Sequence, residues 1–336
     1  MSQINTEDVS VSLRLRSIKL DEQKLLITNY AGTQQEKDLA LPANCNGYGR
    51  IRHFYRETTE GWPSNPLPID PAARALGVQP TDLLKAQVFQ NASCNWRCWY
   101  CYVPFNLLSA NQKHSGWLSC ADIVDLYLAE TERPVVIDLS GGQPDLVPEW
   151  IPWMMRELSG RGLADQVYLW SDDNLSNDYF WKYLTAEDRQ FVSSYRNYGK
   201  VCCFKGFDQQ SFAFNTKAPP DLFDRQIELF QRNVDLGIDV YGYATFTSPE
   251  KPKPDSISRF VDALQRIHSE LPLRVIPLEI RQFAPFDDRR LDETHRDAMR
   301  CHQNTAINFW QEELSQRFSR EQREQEIAEV GLCRVK

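Results

Sequence analysis

Three cysteines, Cys94, Cys98 and Cys101, stand close together in the run Cys94-Asn95-Trp96-Arg97-Cys98-Trp99-Tyr100-Cys101. Thiolates are soft ligands, and three of them on one loop can converge on a single metal centre. Four would complete a cubane [4Fe–4S] cluster, whereas three leave one iron open to an exogenous ligand. A structural zinc site usually takes four ligands, with a second CxxC or HxxxH pair elsewhere, and this chain has no such pair. Three thiols that merely pack would have no reason to keep this spacing. An open-iron cluster, a zinc site and a set of packed thiols all remain readings of the spacing, and the context has to separate them.

Further polar and glycine-rich turns follow runs that read as strands. Residues 134–139 run into Ser140-Gly141-Gly142-Gln143-Pro144, residues 166–170 into Ser171-Asp172-Asp173-Asn174, and residues 200–204 end on Lys205. Each has an ordinary explanation. A Gly-Gly pair before Gln-Pro is a common turn, Asp172-Asp173-Asn174 suits a solvated capping turn, and a lysine at a strand end is most often exposed.

From residue 86 onward, strand-like and helix-like segments alternate, the pattern of a parallel α/β fold. Strands are expected at 86–90, 134–139, 166–170, 200–205, 239–247 and 273–280. Helices are expected at 121–132 with Ser119 as cap, 147–158, 178–195, 220–236 stopped by Gly237, 256–270, and as a charged helical stretch over 293–330. Six strands and six helices give an incomplete (β/α)6 barrel, in which functional groups gather where strands end and loops begin. The three polar turns and the cysteine loop occupy such positions.

Residues 1–85 read as an N-terminal extension, 86–285 as the core barrel and 286–336 as a C-terminal helical segment. Within the extension, residues 11–20 alternate apolar and polar, the period of a half-buried strand, and with 24–30 they suggest a β-hairpin. Pro63, Pro66, Pro68, Pro71 and Pro80 favour an extended strap, which Trp62 and Leu67 would pin down as a cap on the barrel.

CxxxCxxC with Tyr100 before the third cysteine, followed about forty residues later by Gly141-Gly142-Gln143-Pro144, resembles the radical S-adenosylmethionine (radical SAM) superfamily. There the loop is CxxxCx(aromatic)C and the second motif GGEP. The resemblance spans residues 86 to 280 and departs from the pattern at Gln143, which can accept a hydrogen bond but carries no charge. It implies a partial TIM-like barrel and a [4Fe–4S] cluster on Cys94, Cys98 and Cys101. It also implies S-adenosylmethionine bound at the open iron, with contacts from Gly141, Gly142, Gln143, Asp172, Asp173, Asn174 and Lys205. The superfamily's reaction takes an electron from a donor such as flavodoxin or ferredoxin and yields a 5′-deoxyadenosyl radical, which abstracts hydrogen from a substrate.

Within that superfamily, Phe204-Lys205-Gly206-Phe207-Asp208 is similar to a stretch of the glycyl-radical-enzyme activating enzymes. They carry Asp-x-Lys after strand four, where Cys203 and Lys205 stand here, and Asp-Thr-Asn after strand three, where Asp172-Asp173-Asn174 stand. Val103 replaces the Asn of their Cys-x-Asn-Pro, and their Cys-rich insertion is missing. A protein or peptide substrate is therefore expected. A small molecule or nucleoside, and a non-catalytic metal- or partner-binding module, are the alternatives.

A net charge of −8 over 336 residues gives no global field for a polyanion, which disfavours nucleic acid. No apolar run approaches the ~20 residues a membrane-spanning helix needs, and the N-terminus lacks a basic stretch followed by an apolar one. With nine cysteines at scattered spacings, a disulfide framework is not expected, which suggests a reducing, cytoplasmic compartment. Cys45, Cys120, Cys202, Cys203, Cys301 and Cys333 read as structural thiols, with Cys202 or Cys203 best placed to line the barrel. His53 and His114 are candidates to face a substrate, and His268, His295 and His302 read as exposed. Trp96 and Trp99 read as core and shielding for the cysteine loop.

Overall fold

A computed structural model describes residues 4–286, 289 and 291–332. Its strands, in chain order, are β1 (Ile18–Lys19), β2 (Lys24–Thr28), β3 (Gly49–Tyr55), β4 (Leu83–Phe89), β5 (Ser115–Ser119), β6 (Val136–Leu139), β7 (Tyr168–Asp173), β8 (Tyr198–Phe204), β9 (Val240–Thr245) and β10 (Val275–Leu278). The large sheet has the order β10-β9-β8-β7-β6-β4-β3. Its strands β4 and β6 to β10 run parallel, and β3 closes one edge antiparallel to β4. This is the partial barrel that the alternation of segments predicts.

Side chains alternate across a strand, so the register sorts the sheet into two faces. Val136 lies opposite Tyr168, Val201 opposite Tyr241, and Arg52 opposite Ala86. Phe54, Ala86, Val136, Tyr168, Trp170, Val201, Cys203, Tyr241 and Tyr243 form one buried cluster. Strands from one edge to the far side of the sheet thus meet through the same face, which requires the sheet to curl into a half-barrel. The opposite face, with Ile137, Leu139, Leu169, Cys202, Phe204, Val240 and Ala244, packs against the helices. Both faces are buried, as expected of a parallel sheet.

The N-terminal residues depart from expectation. Residues 6–15 form a helix, Thr6–Leu15, instead of a strand. Asn5 caps it by accepting from the Asp8 backbone N–H at 3.3 Å, and Glu7 and Asp8 suit the positive helix start. The alternation misleads because the buried stripe Thr6, Ser10, Leu13, Arg14 is largely polar. Arg14 is buried only because it pairs with Glu149. The expected hairpin survives as β1 with the start of β2, and β2 gives its other edge to β5. The proline-rich strap contains a helix, Ile69–Leu76, with Pro71 in its first turn and Gly77 in the left-handed conformation as its stop. Before that helix the strap reaches the far edge of the sheet. Trp62 Nε1 donates to Pro277 O at 3.1 Å, and Thr59 Oγ1 to Glu279 Oε2 at 3.0 Å. Residues 56–68 therefore bridge the gap between β3 and β10.

The C-terminal segment is helical through Glu293–Asp297, a wider turn at Ala298–His302, Gln303–Arg317 and Arg320–Glu324. Its Trp310 stacks on Phe246 and Phe260. Among the described residues no helix is long and apolar enough to cross a membrane.

Candidate functional site

The cysteine loop leaves the end of β4 and is held on three sides. From the N-terminal helix, Thr6 Oγ1 accepts from Trp96 Nε1 at 3.1 Å, and Asn95 Nδ2 donates to Ser10 Oγ at 2.8 Å. A helix the sequence reading missed, Gln209–Thr216 after β8, receives Trp99. The Trp99 indole donates to Asn215 Oδ1 at 3.0 Å, and its backbone N–H to Asn215 O at 3.2 Å. Arg289 clasps the loop from the C-terminal side, donating to Trp99 O at 2.8 Å, Val103 O at 2.9 Å and Cys101 O. Arg289 carried no motif. His295, expected to be exposed, is half-buried, edge-on to Trp99 with ring centroids 5.1 Å apart.

Cys94 and Cys98 are buried and Cys101 is half-buried, and none forms a disulfide. Burial pushes the Cys98 thiol up to about 12; the Cys101 and Cys94 thiols add to this, while the Lys205 ammonium opposes it. Burial also raises the Cys94 thiol, against the Trp96 backbone N–H and Arg97. Asn174 Nδ2 lies 3.7 Å from the Cys94 sulfur. The three thiols lie close enough to one another and to Lys205 to act on each other electrostatically. Among the described residues no three His, Cys, Asp or Glu side chains close around a single-ion position. A cluster takes one thiolate on each of several irons, and three neighbouring thiols with N–H donors beside Cys94 fit that demand. Coordination would release the protons that burial holds on the Cys94 and Cys98 sulfurs.

The Gly-Gly turn locks onto the root of this loop. Gly141 and Gly142 have φ of +82° and +67°. A Cβ on Gly142 would sit 2.3 Å from Asn91 O and 2.5 Å from Ser93 O. It is therefore the chain's own backbone that needs a glycine there. Gln143 is buried and fully engaged. Its N–H donates to Ser93 O at 2.7 Å, its Nε2 to Asp173 Oδ1 at 2.8 Å, and its Oε1 accepts from the Asn174 N–H at 2.9 Å. Gln143 thus ties the turn after β6 to the end of β7.

The expected triplet splits between the two faces. Asp172 lies on the barrel side and accepts from Ser140 Oγ at 2.9 Å. Asp173 lies on the helix side, 3.5 Å from the Lys200 ammonium, which also meets Asp145 at 2.6 Å. Asn174 turns toward Cys94. Lys205 is half-buried at the end of β8, two residues beyond Cys203, on the same inner face. Burial disfavours the Lys205 ammonium, but Cys203, Tyr100, Cys98 and Cys94 around it hold its pKa well above the usual lysine range. Tyr100 reaches across the mouth, its hydroxyl 3.0 Å from Thr245 Oγ1 on β9.

Of the remaining thiols, Cys203 lines the barrel, Cys202 faces the helices, Cys45 and Cys120 are buried, Cys301 is exposed, and Cys333 lies outside the described residues. His53 and His114 are half-buried, away from the cysteine loop: His53 alternates with the barrel-facing Arg52 on β3, and His114 precedes β5.

No protein-family profile and no curated protein matches the chain. It is similar to solved structures of Streptococcus suis SuiB. With SuiB bound to S-adenosylmethionine the TM-score is 0.40 at 16% identity, covering 61% of this chain and 45% of that one. With SuiB bound to the precursor peptide SuiA the values are 0.38, 12%, 62% and 54%. The native anSMEcpe structure with bound AdoMet gives 0.34, 12%, 55% and 61%. The chain spans less than two thirds of each of these proteins.

Proposed function

We propose that this chain is a radical SAM enzyme whose substrate is a protein or peptide. The observation that carries the reading is that the three-cysteine loop, the Gly141-Gly142-Gln143 turn and Lys205 come together at the mouth of one half-barrel. A reduced [4Fe–4S] cluster with S-adenosylmethionine, when bound, supplies a 5′-deoxyadenosyl radical able to take a hydrogen atom from the substrate.

In this reading Cys94, Cys98 and Cys101 hold the cluster, and the N–H groups of Asn174 and Trp96 stabilise charge on the Cys94 sulfur. Gly141 and Gly142 bring the turn against the loop, where its backbone groups would be available to the cofactor. Asp172, Asn174 and Lys205 would contact the cofactor's hydroxyls and charged groups, and Asp173 would act through Gln143 by fixing its orientation. Tyr100, Trp99 and Trp96 exclude water and competing hydrogen donors. The similarity of residues 203–208 to activating enzymes supports a protein or peptide as hydrogen donor.

The test is Cys98→Ala, reconstituted anaerobically with iron and sulfide beside the unaltered chain. The variant is expected to lose the cluster's absorbance and all S-adenosylmethionine cleavage. Full cleavage on two cysteines would contradict the assignment.

A further inference from the structure

Below the mouth, the half-barrel contains charges that the proposed cofactor contacts do not use. Arg50 and Arg52 occupy successive inner positions of β3, Asp138 is an inner residue of β6, and Asp172 of β7. Arg52 lies over the Phe54 ring, 4.2 Å from its centroid, and donates one long bond, 3.4 Å, to Asp138 Oδ2. Arg50, more than nine-tenths buried, donates to the Tyr102 hydroxyl at 3.1 Å and also meets the buried Tyr30 hydroxyl. Asp138 is fully buried and its Oδ1 is without a partner among the described residues.

A guanidinium has five N–H donors in a planar fork. Arg52, with its one long bond, leaves most of that capacity unused, and an unmet buried polar group favours a partner that satisfies it. There is also room for a ligand. Arg52 keeps 27% of its side-chain surface accessible although it points among the inner faces of the strands. Asp172, Lys205 and Cys101 are half-buried along the same face and mouth. Accessible surface is therefore found at Arg52 and again along the mouth beside the cysteine loop.

We infer that Arg50 and Arg52 bind a carboxylate of the substrate while Asp138 accepts a hydrogen bond from an N–H beside that carboxylate. A forked guanidinium matches a carboxylate or a phosphate, but Asp138 and Asp172 would repel a dianionic phosphate. A monoanionic carboxylate next to a donor satisfies both the arginines and the orphaned Asp138 oxygen. Such a group comes from the C-terminus of a peptide or from an acidic side chain next to its backbone amide. This inference rests on the half-barrel being the substrate chamber of the proposed enzyme.

The experiment is a ligand-observed NMR titration of the full chain, with and without reconstituted cluster. The probes are N-acetylalanine for a terminal carboxylate, N-acetylglutamic acid α-amide for a side-chain carboxylate, and inorganic phosphate. At least one carboxylate probe is expected to bind, phosphate is not expected to displace it, and the stronger probe identifies the source. Arg52→Gln should weaken binding about tenfold or more, since bonds to charged groups carry about 1.5–3 kcal/mol. Arg52→Lys, which keeps a cation opposite Asp138 but loses the fork, should weaken it as well and serves if the glutamine variant does not fold. Absence of binding by both carboxylate probes, tighter binding of phosphate, or wild-type affinity in a folded Arg52 variant would overturn the proposal. Cleavage of S-adenosylmethionine is a separate readout. Probe binding without cleavage would reject the radical chemistry and leave this site standing, and cleavage without probe binding would do the reverse.

Discussion

At the scale of single residues, Gly142 shows how function-like motifs also answer to packing. Its positive φ and the two carbonyls that crowd its missing Cβ, Asn91 O and Ser93 O, are backbone features that no neighbouring rotamer can relieve. The space beside Gly141 is filled by the Gln90 side chain, which can move. Gly142→Ala is therefore expected to destabilise the protein by more than about 1–3 kcal/mol, and by more than Gly141→Ala. Denaturant unfolding of the two variants measures the difference, and equal losses would mean that the close approach to the cysteine loop does not matter. The motif residues were legible because their chemistry is local: three thiols and two glycines keep their spacing wherever the chain folds. Arg50, Arg52 and Asp138 were not singled out, although a period-two reading of residues 49–55 puts both arginines on one face. Nothing in the sequence says that this face is the inside of a barrel.

At the scale of elements, β8 is fastened to its neighbours by a charge cluster buried under the helices. Lys200 meets Asp145 at 2.6 Å and Asp173 at 3.5 Å, with the Phe180 ring 4.6 Å below. Burial and the neighbouring Asp173 push the Asp145 carboxyl up to about 7, against the pull of Lys200. Removing the ammonium strands two carboxylates, so Lys200→Met is expected to cost about 3–5 kcal/mol. The loss should be larger at pH 8 than at pH 5, where a carboxyl can take up a proton. Thermal melting across that range checks it, and a pH-independent loss would count against the shared ammonium. The same scale explains the errors of the sequence reading. The parallel strands and most helices stand near their expected places because long apolar runs and caps such as Ser119 and Gly237 are strong local signals. The alternation from residue 11 suggests a strand where the helix runs on to Leu15, because alternation over a short, largely polar segment fits either period, and the deciding signal is the Asn5 cap upstream of it. The partnership of β2 with β5 depends on contacts between segments more than eighty residues apart, which no local pattern encodes.

At the scale of the whole molecule, the half-barrel encloses an electrostatic balance that should appear in its stability. Burial and Asp172 raise the Asp138 carboxyl to about 7, while Arg52 and Arg50 pull it down. An acid whose folded pKa lies above its unfolded value, about 3.9, binds more protons in the folded state between those values. Its contribution is present below the unfolded pKa and is lost as pH rises through about 7. Asp138→Asn, which keeps the group neutral, should therefore gain melting temperature relative to the unaltered chain as pH goes from 5 to 8. A constant offset would show that Asp138 is already ionised across that range. The strap at residues 56–68, the N-terminal helix and the C-terminal Arg289 all converge on this barrel and its cysteine loop. Segments from both ends of the described chain thus serve to hold one mouth in shape.

The most direct measurement is anaerobic reconstitution of the unaltered chain with iron and sulfide, followed by dithionite, S-adenosylmethionine and chromatography for 5′-deoxyadenosine. The expected result is a brown protein holding about four irons per chain that releases 5′-deoxyadenosine. A colourless protein that retains no iron, or an iron-loaded one that leaves S-adenosylmethionine intact, would contradict the account.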